Sequence, residues 1–535
     1  MRVELRLIYH ATARAAFIGL GIAVAGPAMV GPALAQKLSI GVAAPVTSMD
    51  PHYHTLSPNQ SMASHIFNRL VDMDATAHPI PSLAESWKLV DERTWEFRLR
   101  KTKFHDGSDF TAEDVAYTLN RVPRVLNSPG SYSIYTKSVT AVEIVDPHTI
   151  RLRTAGVYPL LPIDLSQVAI LSHGIGPDPK TEDFNSGKNA IGTGPFKFIA
   201  YKPGDRVQLA RNDAYWGPKP AWTEVDYRII SNDAARSAAL LSGGVAFIDA
   251  VPTSDLATLR ADPKLTISDV VGLRLIFLWL DHQHPEGSMS VSGPNGEKLD
   301  RNPLQDLRVR RALSLAINRA AITERVMEDT AIPSGQFLPK GSYSYVPGLL
   351  PPAYDPAKAR QLLTEAGYPN GLRITLHGSN DRYVNDAKII QAVGQMWTRI
   401  GVQTTVEAMP WSTYIGRASK QEFSAFQLGW STGTGEASNP LRALIATYNA
   451  QKGLGTVNRG RYSNPAVDSV IEQAVVTADN DAREKLLQQA TRMAMDDVAI
   501  VPLHQQKNIW AMRKGLTYTA RADEENRVFD IWPVK

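Results

Sequence analysis

The chain of 535 residues contains no cysteine, and this absence constrains its fold more than any other single feature. It excludes a disulfide scaffold, thiolate and iron–sulfur metal sites, a cysteine nucleophile and the lipid-modified cysteine of a bacterial lipoprotein. The chain is also longer than one hydrophobic core usually supports. Its 43% hydrophobic and 21% charged residues are typical of a globular protein rather than a disordered or fibrous one. We therefore expect two or three folded domains.

The first 35 residues have the pattern of a secretory signal peptide. Three arginines precede an apolar stretch over residues 15–30, and Ala33-Leu34-Ala35 supplies the small residues that a signal peptidase accepts. The apolar stretch approaches the length of a membrane span, so a permanent anchor is the alternative. Two nearby Gly-Pro pairs weaken a continuous helix. We interpret residues 1–35 as a cleaved signal peptide, which places the mature protein in a bacterial periplasm.

The charge of the chain gives little indication of a charged partner. The formal net charge is +4, which is small for this length, and the basic residues form no block. Nucleic-acid binding normally requires a concentrated basic surface. No later segment approaches the roughly 20 apolar residues that span a bilayer. We expect a soluble protein that does not bind nucleic acid.

Apolar periodicity predicts a mixed α/β chain. Alternating apolar residues over 94–99 and an apolar run over 423–430 indicate strands. An apolar face repeats at helical spacing over 309–320, and Pro356 and Pro465, preceded by Asp and Asn, are well placed to begin two further helices. Because helices and strands alternate, we expect α/β domains.

Four arginines lie off the apolar face of the helix predicted over 309–320: Arg308, Arg310, Arg311 and Arg319. A run of like charges on one side of an amphipathic helix is typically solvated. We interpret these side chains as a solvated surface rather than an anion site.

The sequence contains no convincing catalytic or cofactor-binding motif. It lacks a P-loop, an H-E-x-x-H segment and a G-x-S-x-G elbow. His52 and His54, like His282 and His284, have a spacing that brings two imidazoles to one face of a strand, where they could share a metal ion. Surface histidines in loops are the commoner alternative. We assign no catalytic residue, no cofactor and no metal ligand.

The stretch over 426–440, FQLGWSTGTGEASNP, has the composition of a binding loop. An apolar strand ends at Trp430 and opens into small polar residues, which would expose backbone N–H and C=O groups beside a flat apolar wall. A flexible surface loop beside a core tryptophan is equally consistent with this pattern.

A series of short segments follows the order of one known family. They are Met49-Asp50-Pro51-His52 and residues 81–87, 98–107, 110–115, 192–197, 211–216, 308–313, 354–360, 365–371 and 462–468. Together they extend over nearly all of the chain after residue 36. By these segments the chain resembles the periplasmic solute-binding proteins of ABC importers, in the dipeptide, oligopeptide and nickel group (family 5).

The resemblance implies an α/β, two-lobed periplasmic binding protein fold of the class II type with an extra inserted domain, three domains in all. Domain I would be discontinuous and comprise residues 36–69, 190–283 and 512–535. Domain II would comprise residues 70–189. The opposing lobe, domain III, would comprise residues 284–511.

The resemblance also implies solute capture rather than catalysis. The two lobes would hinge around a peptide or a related small polar solute and deliver it to an inner-membrane ABC permease with its ATPase subunits. We expect the carrier to be a monomer. A nickel-chelate binder using His52 or His54, and an opine or glycoside binder, are alternatives on the same fold. A secreted hydrolase is the alternative of another class, and the sequence offers no convincing carboxylate pair for it.

The ligand-facing residues implied by the resemblance fall in three segments. They are Trp430, Ser431, Thr432, Gly433, Thr434, Gly435, Glu436, Arg382, Tyr53 and His54. Arg382 lies near where the family holds a ligand carboxylate, although a surface arginine is the alternative. Peptide binders commonly place an Asp a few residues after the Trp, to pair with the free α-ammonium group. Here that position falls near Gly433, and Glu436 is the only acid in the loop, so an ordinary dipeptide is in doubt unless Glu436 substitutes.

Overall fold

The computed structural model describes residues 37–285 and 290–534. The predicted signal peptide, residues 1–35, lies outside the described residues, so its cleavage stays a prediction. Within the two described ranges, no helix combines the length and the apolar character that crossing a membrane requires.

Strands from all parts of the chain form one large mixed sheet and three small sheets. The strands are β1 Lys37–Val42, β2 Val71–Met73, β3 Pro79–Pro81, β4 Ala84–Asp91, β5 Thr94–Leu99, β6 Val139–Asp146, β7 Thr149–Thr154, β8 Phe196–Lys202, β9 Arg206–Arg211, β10 Glu224–Ile229, β11 Phe247–Ile248, β12 Leu265–Leu280, β13 Val291–Ser292, β14 Ala331–Pro333, β15 Leu372–Ser379, β16 Val402–Met409, β17 Ala425–Ser431, β18 Val501–Arg513, β19 Leu516–Thr517 and β20 Trp532–Pro533.

Helices connect and cover these strands. The α-helices are α1 Ser57–Ile66, α2 Ala112–Arg121, α3 Ser133–Thr136, α4 Leu161–Leu165, α5 Thr181–Asn185, α6 Asp233–Ser242, α7 Thr253–Ala261, α8 Leu307–Leu315, α9 Arg319–Ala321, α10 Pro356–Glu365, α11 Asp386–Thr398, α12 Trp411–Ser419, α13 Ser438–Pro440, α14 Pro465–Val476 and α15 Asn480–Asp496. Short 3-10 or π segments lie at Val122–Arg124, His173–Ile175, Pro303–Gln305, Ile322–Val326, Leu441–Ile445 and Val528–Asp530.

Two long strands, β12 and β18, lie next to each other in the middle of the large sheet and connect its two halves. The sheet has the order β13-β15-β17-β12-β18-β11-β1-β10-β9-β8. Strand β12 pairs with β17 over one half of its length and with β18 along most of its length. Strand β18 in turn pairs with β14 and with β11. Strands β12 and β18 therefore connect the side of the sheet that holds β13, β15 and β17 to the side that holds β11, β1, β10, β9 and β8.

A separate antiparallel sheet of β4, β5, β7 and β6 is formed within residues 84–154. One of its faces carries Phe97, Ile150 and Leu152, which pack with α2 into their own hydrophobic core. All four strands fall inside the segment that the sequence assigns to domain II. The three-domain division itself, with its boundaries, stays a prediction.

Several local predictions are confirmed. The segment 94–99 is strand β5, and the run 423–430 overlaps β17. Helix α10 begins at Pro356 and α14 begins at Pro465, each with the preceding Asp or Asn side chain accepting a hydrogen bond from the first helical turn. These starts are predictable because the cap and the proline act within one turn.

The prediction that the helix arginines are exposed to solvent is wrong for Arg310 and Arg319. Arg310 is buried and pairs with Asp497 at 3.0 Å. Arg319 is buried and donates to the carbonyl oxygen of Pro502 at 2.7 Å and to the Ser314 hydroxyl at 2.9 Å. Helix α8 ends at residue 315, and the segment 497–502 packs against it and covers these side chains. A guanidinium can be buried when carbonyl and carboxylate oxygens take up its donors.

A buried histidine on β18 predicts an acid-dependent stability change. His504 is fully buried, and neither ring nitrogen has a hydrogen-bond partner among the described residues. Burial lowers the pKa of His504 to about 3. An unfolded histidine titrates near about 6.5, so the unfolded state takes up the proton first and stability is lost as the pH falls from about 6.5 toward 3.

We therefore expect His504→Leu to stabilise the protein selectively at low pH. Relative to the wild type, its free energy of unfolding should gain about 2 kcal/mol between pH 8 and pH 5. Urea unfolding of both proteins at the two pH values measures this gain. An equal difference between the two proteins at both pH values would contradict the assignment.

Candidate functional site

A cavity of about 170 Å³ lies where the two halves of the large sheet meet. Its wall combines parts of the segments 43–61 and 227–274, the loop 382–384, strand β18 around residues 506–510, and the chain end at 524–526. Segments far apart in the sequence therefore converge on one space. The wall contains both polar and apolar residues, as sites for small solutes do.

Arg274 and Glu524 form a paired charge in this wall. The Arg274 Nε and Nη2 atoms each donate to a different oxygen of Glu524, at 2.7 Å. Burial opposes the charge on Arg274, but the Glu524 carboxylate outweighs this cost and raises the pKa of Arg274. Glu524 has a backbone φ of +68°, which side-chain-bearing residues rarely adopt. The bidentate geometry leaves this pair little free charge to offer a ligand.

Arg382, in contrast, is a cation without a carboxylate partner among the described residues. Its guanidinium lies over the rings of Tyr383 and Trp411, at 5.2 and 5.7 Å from their centres. Burial, and the charge of Arg274 nearby, lower the pKa of Arg382. Both effects disfavour the charged form of Arg382, and an anionic ligand group would stabilise that form.

The loop that carries Arg382 is anchored on both sides. The Asp386 carboxylate accepts hydrogen bonds from the backbone N–H groups of Arg382 and Tyr383, each at 3.1 Å, and from the Ser379 hydroxyl at 2.7 Å. The Tyr383 hydroxyl donates to the carbonyl oxygen of Gly429 at 3.2 Å. The Arg382 side chain thus starts from a fixed backbone position, as a precise ligand contact requires.

The opposite side of the wall is built on Asp249. Its carboxylate accepts from the backbone N–H of Ala43 at 2.8 Å and from the Asn526 amide at 2.6 Å. Burial raises the pKa of Asp249, although Arg236 opposes the shift. The Asn526 oxygen accepts from the Trp510 indole N–H at 2.7 Å. Asp249 is therefore already engaged within the protein.

The predicted first-lobe residues Tyr53 and His54 do not line this cavity. Burial lowers the pKa of His54, and the charge of Arg382 adds to the shift. The Ser128 hydroxyl donates to the Tyr53 carbonyl at 2.7 Å, and the Tyr132 hydroxyl donates to the His54 carbonyl at 3.3 Å. The segment is thereby fixed against residues 128–132.

His52 has a structural role. One ring nitrogen contacts the carbonyl oxygen of Ala169 at 2.8 Å, and the other lies 2.9 Å from Arg121, which is paired with Asp50. Both ring nitrogens are thus occupied, and His52 has no free position for a nickel chelate. Across the described residues, no three His, Asp or Glu side chains are grouped to hold a metal ion.

The predicted binding loop after Trp430 does not line the cavity. The Trp430 indole donates to Asn439 at 2.8 Å and packs on a hydrophobic core. The carbonyl oxygen of Gly433 accepts from the Gln167 amide at 3.3 Å, and Gly435, with a φ of +70°, lies directly against Ala77. The loop therefore contacts the segments around residues 77 and 167 instead of the cavity.

The other small residues of this loop are held by backbone contacts. Ser431 pairs with Arg274 between β17 and β12. The N–H of Thr432 donates to the carbonyl oxygen of Leu273, and the Thr432 carbonyl accepts from Gly435. The hydroxyl of buried Thr434 has no partner among the described residues. Ligand contacts by Ser431, Thr432 and Thr434 stay predictions.

Glu436 is buried within the protein. Its carboxylate accepts a hydrogen bond from the Ser438 hydroxyl and lies 3.7 Å from the Arg483 guanidinium. Burial raises the pKa of Glu436, and Arg483 opposes this shift. The nearest cation to this carboxylate is thus a residue of the protein itself, and Glu436 does not line the cavity.

We expect Glu436→Gln to leave the affinity for amine-bearing solutes within about threefold of the wild type. The reason is that this carboxylate faces Arg483 and not the cavity. Its urea midpoint should fall, because Arg483 loses a buried partner. Isothermal titration with a free and an N-acetylated peptide checks the first result. A loss of tenfold or more for the free peptide alone would identify Glu436 as the amine-binding acid.

Sequence reasoning missed most of the cavity wall. Arg274, Glu524 and Asp249 were not singled out, and neither were Tyr383 and Lys507. One available signal was the charged run RADEENR near the end of the chain, which is unusual in a segment that packs into the protein. Another was an arginine within the apolar strand β12. Charges in apolar surroundings point to pairing or to a site.

Comparison with known proteins identifies relatives over most of the chain. Residues 78–452 match the bacterial extracellular solute-binding proteins, family 5 Middle. The chain is 29% identical over 475 residues to heme-binding protein A of Haemophilus influenzae, covering 82% of both chains. It is 28% identical over 522 residues to the glutathione-binding protein GsiB of Escherichia coli O1:K1 / APEC, covering 95% of this chain and 96% of the relative.

A solved structure shares the fold. It is the periplasmic binding protein DppA of Helicobacter pylori in complex with the peptide STSA, at a TM-score of 0.78 and 24% identity. The alignment covers 93% of this chain and 98% of that chain.

Proposed function

The chain belongs to family 5 of the bacterial extracellular solute-binding proteins, and we propose that it captures a small peptide-like solute whose carboxylate binds Arg382. Its fold is the two-lobed α/β fold of the periplasmic binding proteins. Its role is that of the solute-binding component of an ABC importer. Family members work outside the cytoplasmic membrane and are binding proteins, so we propose capture without chemical conversion.

The observation that carries the proposal is the unpaired guanidinium of Arg382 in the cavity wall. An arginine fork suits a carboxylate in a bidentate arrangement, and the rings of Tyr383 and Trp411 keep water from one side of it. The relatives point to solutes of related chemistry, because glutathione and the peptide STSA both carry carboxylates. Heme, the ligand in the name of another relative, carries carboxylates as well.

We further propose that the lobes close over the solute by bending at β12 and β18. Closure is a population shift, in which contacts made only in the closed state outweigh the preference for the open state. Hydrogen bonds between the lobes include those from Asn385 to Thr253 at 3.1 Å and from Gln167 to Gly433 at 3.3 Å. These bonds would help to hold the closed form, which an inner-membrane permease then receives from a monomeric carrier.

Mass spectrometry of the solute that copurifies with the native protein tests the proposal directly. We expect a small molecule with at least one carboxylate, and small-angle scattering should show compaction when it is added back to the emptied protein. A bound solute without any anionic group would overturn the role of Arg382. A bound nickel ion with a small chelator would overturn the peptide-like class.

A further inference from the structure

Lys507 places a second uncompensated cation in the same cavity. It lies on β18, one of the two strands that join the lobes, and it contributes to the cavity wall. Its backbone N–H donates to the carbonyl oxygen of Thr330 at 2.9 Å, which fixes its position. Its side chain is half-buried, and its ammonium group has no hydrogen-bond or ion-pair partner in residues 37–285 and 290–534.

The carboxylates of the wall form no ion pair with Lys507, and each already accepts hydrogen bonds from other groups of the protein. Glu524 accepts both donors of Arg274, and Asp249 accepts from Ala43 and Asn526. The wall therefore carries two cations, Arg382 and Lys507, that the protein does not pair. A cleft that concentrates charge of one sign attracts solutes of the opposite sign.

We infer that the solute carries two anionic groups, the first bound by Arg382 and the second by Lys507. This inference rests on the proposed function, in which Arg382 binds a carboxylate. The ligand class would be a compact peptide-like solute with two carboxylates. Both carboxylates of the wall, Asp249 and Glu524, already accept hydrogen bonds from the protein, so we expect a free α-amine to add little to recognition in this cavity.

The two cations suit different tasks in such a site. Arg382 stands on a loop fixed by Asp386 and offers a rigid fork to one carboxylate. Lys507 has a flexible stem and a compact charge, so it can follow a second carboxylate whose position differs between related solutes. Because β18 joins both lobes, an anion held by Lys507 would contact the region that bends on closure.

Matched pairs of N-acetylated dipeptides test this inference. N-acetyl-Ala-Glu and N-acetyl-Ala-Gln, and further pairs ending in Glu or Gln, have nearly the same shape but differ by one carboxylate. We expect the wild type to bind the Glu member at least tenfold more tightly in isothermal titration. Lys507→Met should abolish this preference and change the affinity for the Gln member less than about threefold.

Two further variants separate charge from structure. Lys507→Arg should keep the preference, and Lys514→Met, which removes an exposed lysine just beyond β18, should behave as the wild type. Equal wild-type affinity for both members, or a preference that persists in Lys507→Met, would overturn the inference while leaving the role of Arg382 intact. Failure of every pair to bind would instead overturn the proposed function, and the inference with it.

Discussion

Replacing Arg382 by alanine should weaken the binding of a carboxylate-bearing solute by at least about 30-fold, which corresponds to about 2 kcal/mol. The guanidinium has no carboxylate partner in the described part of the chain, so the ligand provides the pairing that the protein lacks. Its partial burial strengthens that pairing, because few water molecules compete for the donors. Isothermal titration with the copurifying solute measures the loss.

The stability of the Arg382→Ala variant should stay close to that of the wild type. Arg382 lies near the like charge of Arg274, and removing it leaves no buried carboxylate unpaired. Arg382→Lys should recover part of the affinity, because it restores the charge but not the planar fork. Arg301→Ala, which removes an exposed arginine outside the cavity, is the matched control. Unchanged affinity in Arg382→Ala would exclude Arg382 from the ligand site.

Local signals in the sequence predicted the elements well. Helices α10 and α14 begin where Asp355 and Asn464 precede a proline, because cap, proline and first turn lie within a few residues. The order of strands in the large sheet was out of reach of such signals. Strand β11 lies between β1 and β18, which come from opposite ends of the chain. Periodicity describes one segment at a time, and here only the family resemblance implied the architecture.

The candidate site was likewise only partly predictable from the sequence. Arg382 was predicted through the resemblance, and the structure places it in the cavity wall. The predicted loop after Trp430 instead packs against Ala77 and Gln167. A loop of glycines and small polar residues suits close packing as well as ligand binding, so its composition does not distinguish the two, and its ligand contacts stay predictions. The role of Glu524 could not be predicted from the sequence, because its partner Arg274 lies 250 residues away.

A buried ion network near the cavity joins residues 69–72 to residues 525–527 near the end of the chain. The Glu525 carboxylate accepts from Arg69 and from Arg527, each at 2.7 Å. Arg527 also donates to both oxygens of Asp72, at 2.8 and 2.9 Å. Despite its burial, the charges of Arg527 and Arg69 hold the pKa of Glu525 well below its usual range. The network lies where the predicted domains I and II meet.

Glu525→Ala should lower the free energy of unfolding by about 3–5 kcal/mol, because it leaves Arg69 buried without its short ion pair and removes one of the two partners of Arg527. The stability that Glu525 provides is present above about pH 4.5 and is lost as the pH falls below that value, because its pKa is depressed in the folded state. The acid-induced loss of stability should therefore be smaller in Glu525→Ala than in the wild type. Urea unfolding at pH 7 and at pH 4 measures both effects, with the exposed Glu92→Ala as control. If the two variants unfolded at the same urea concentration, Glu525 would contribute no net stability through its pairs with Arg69 and Arg527.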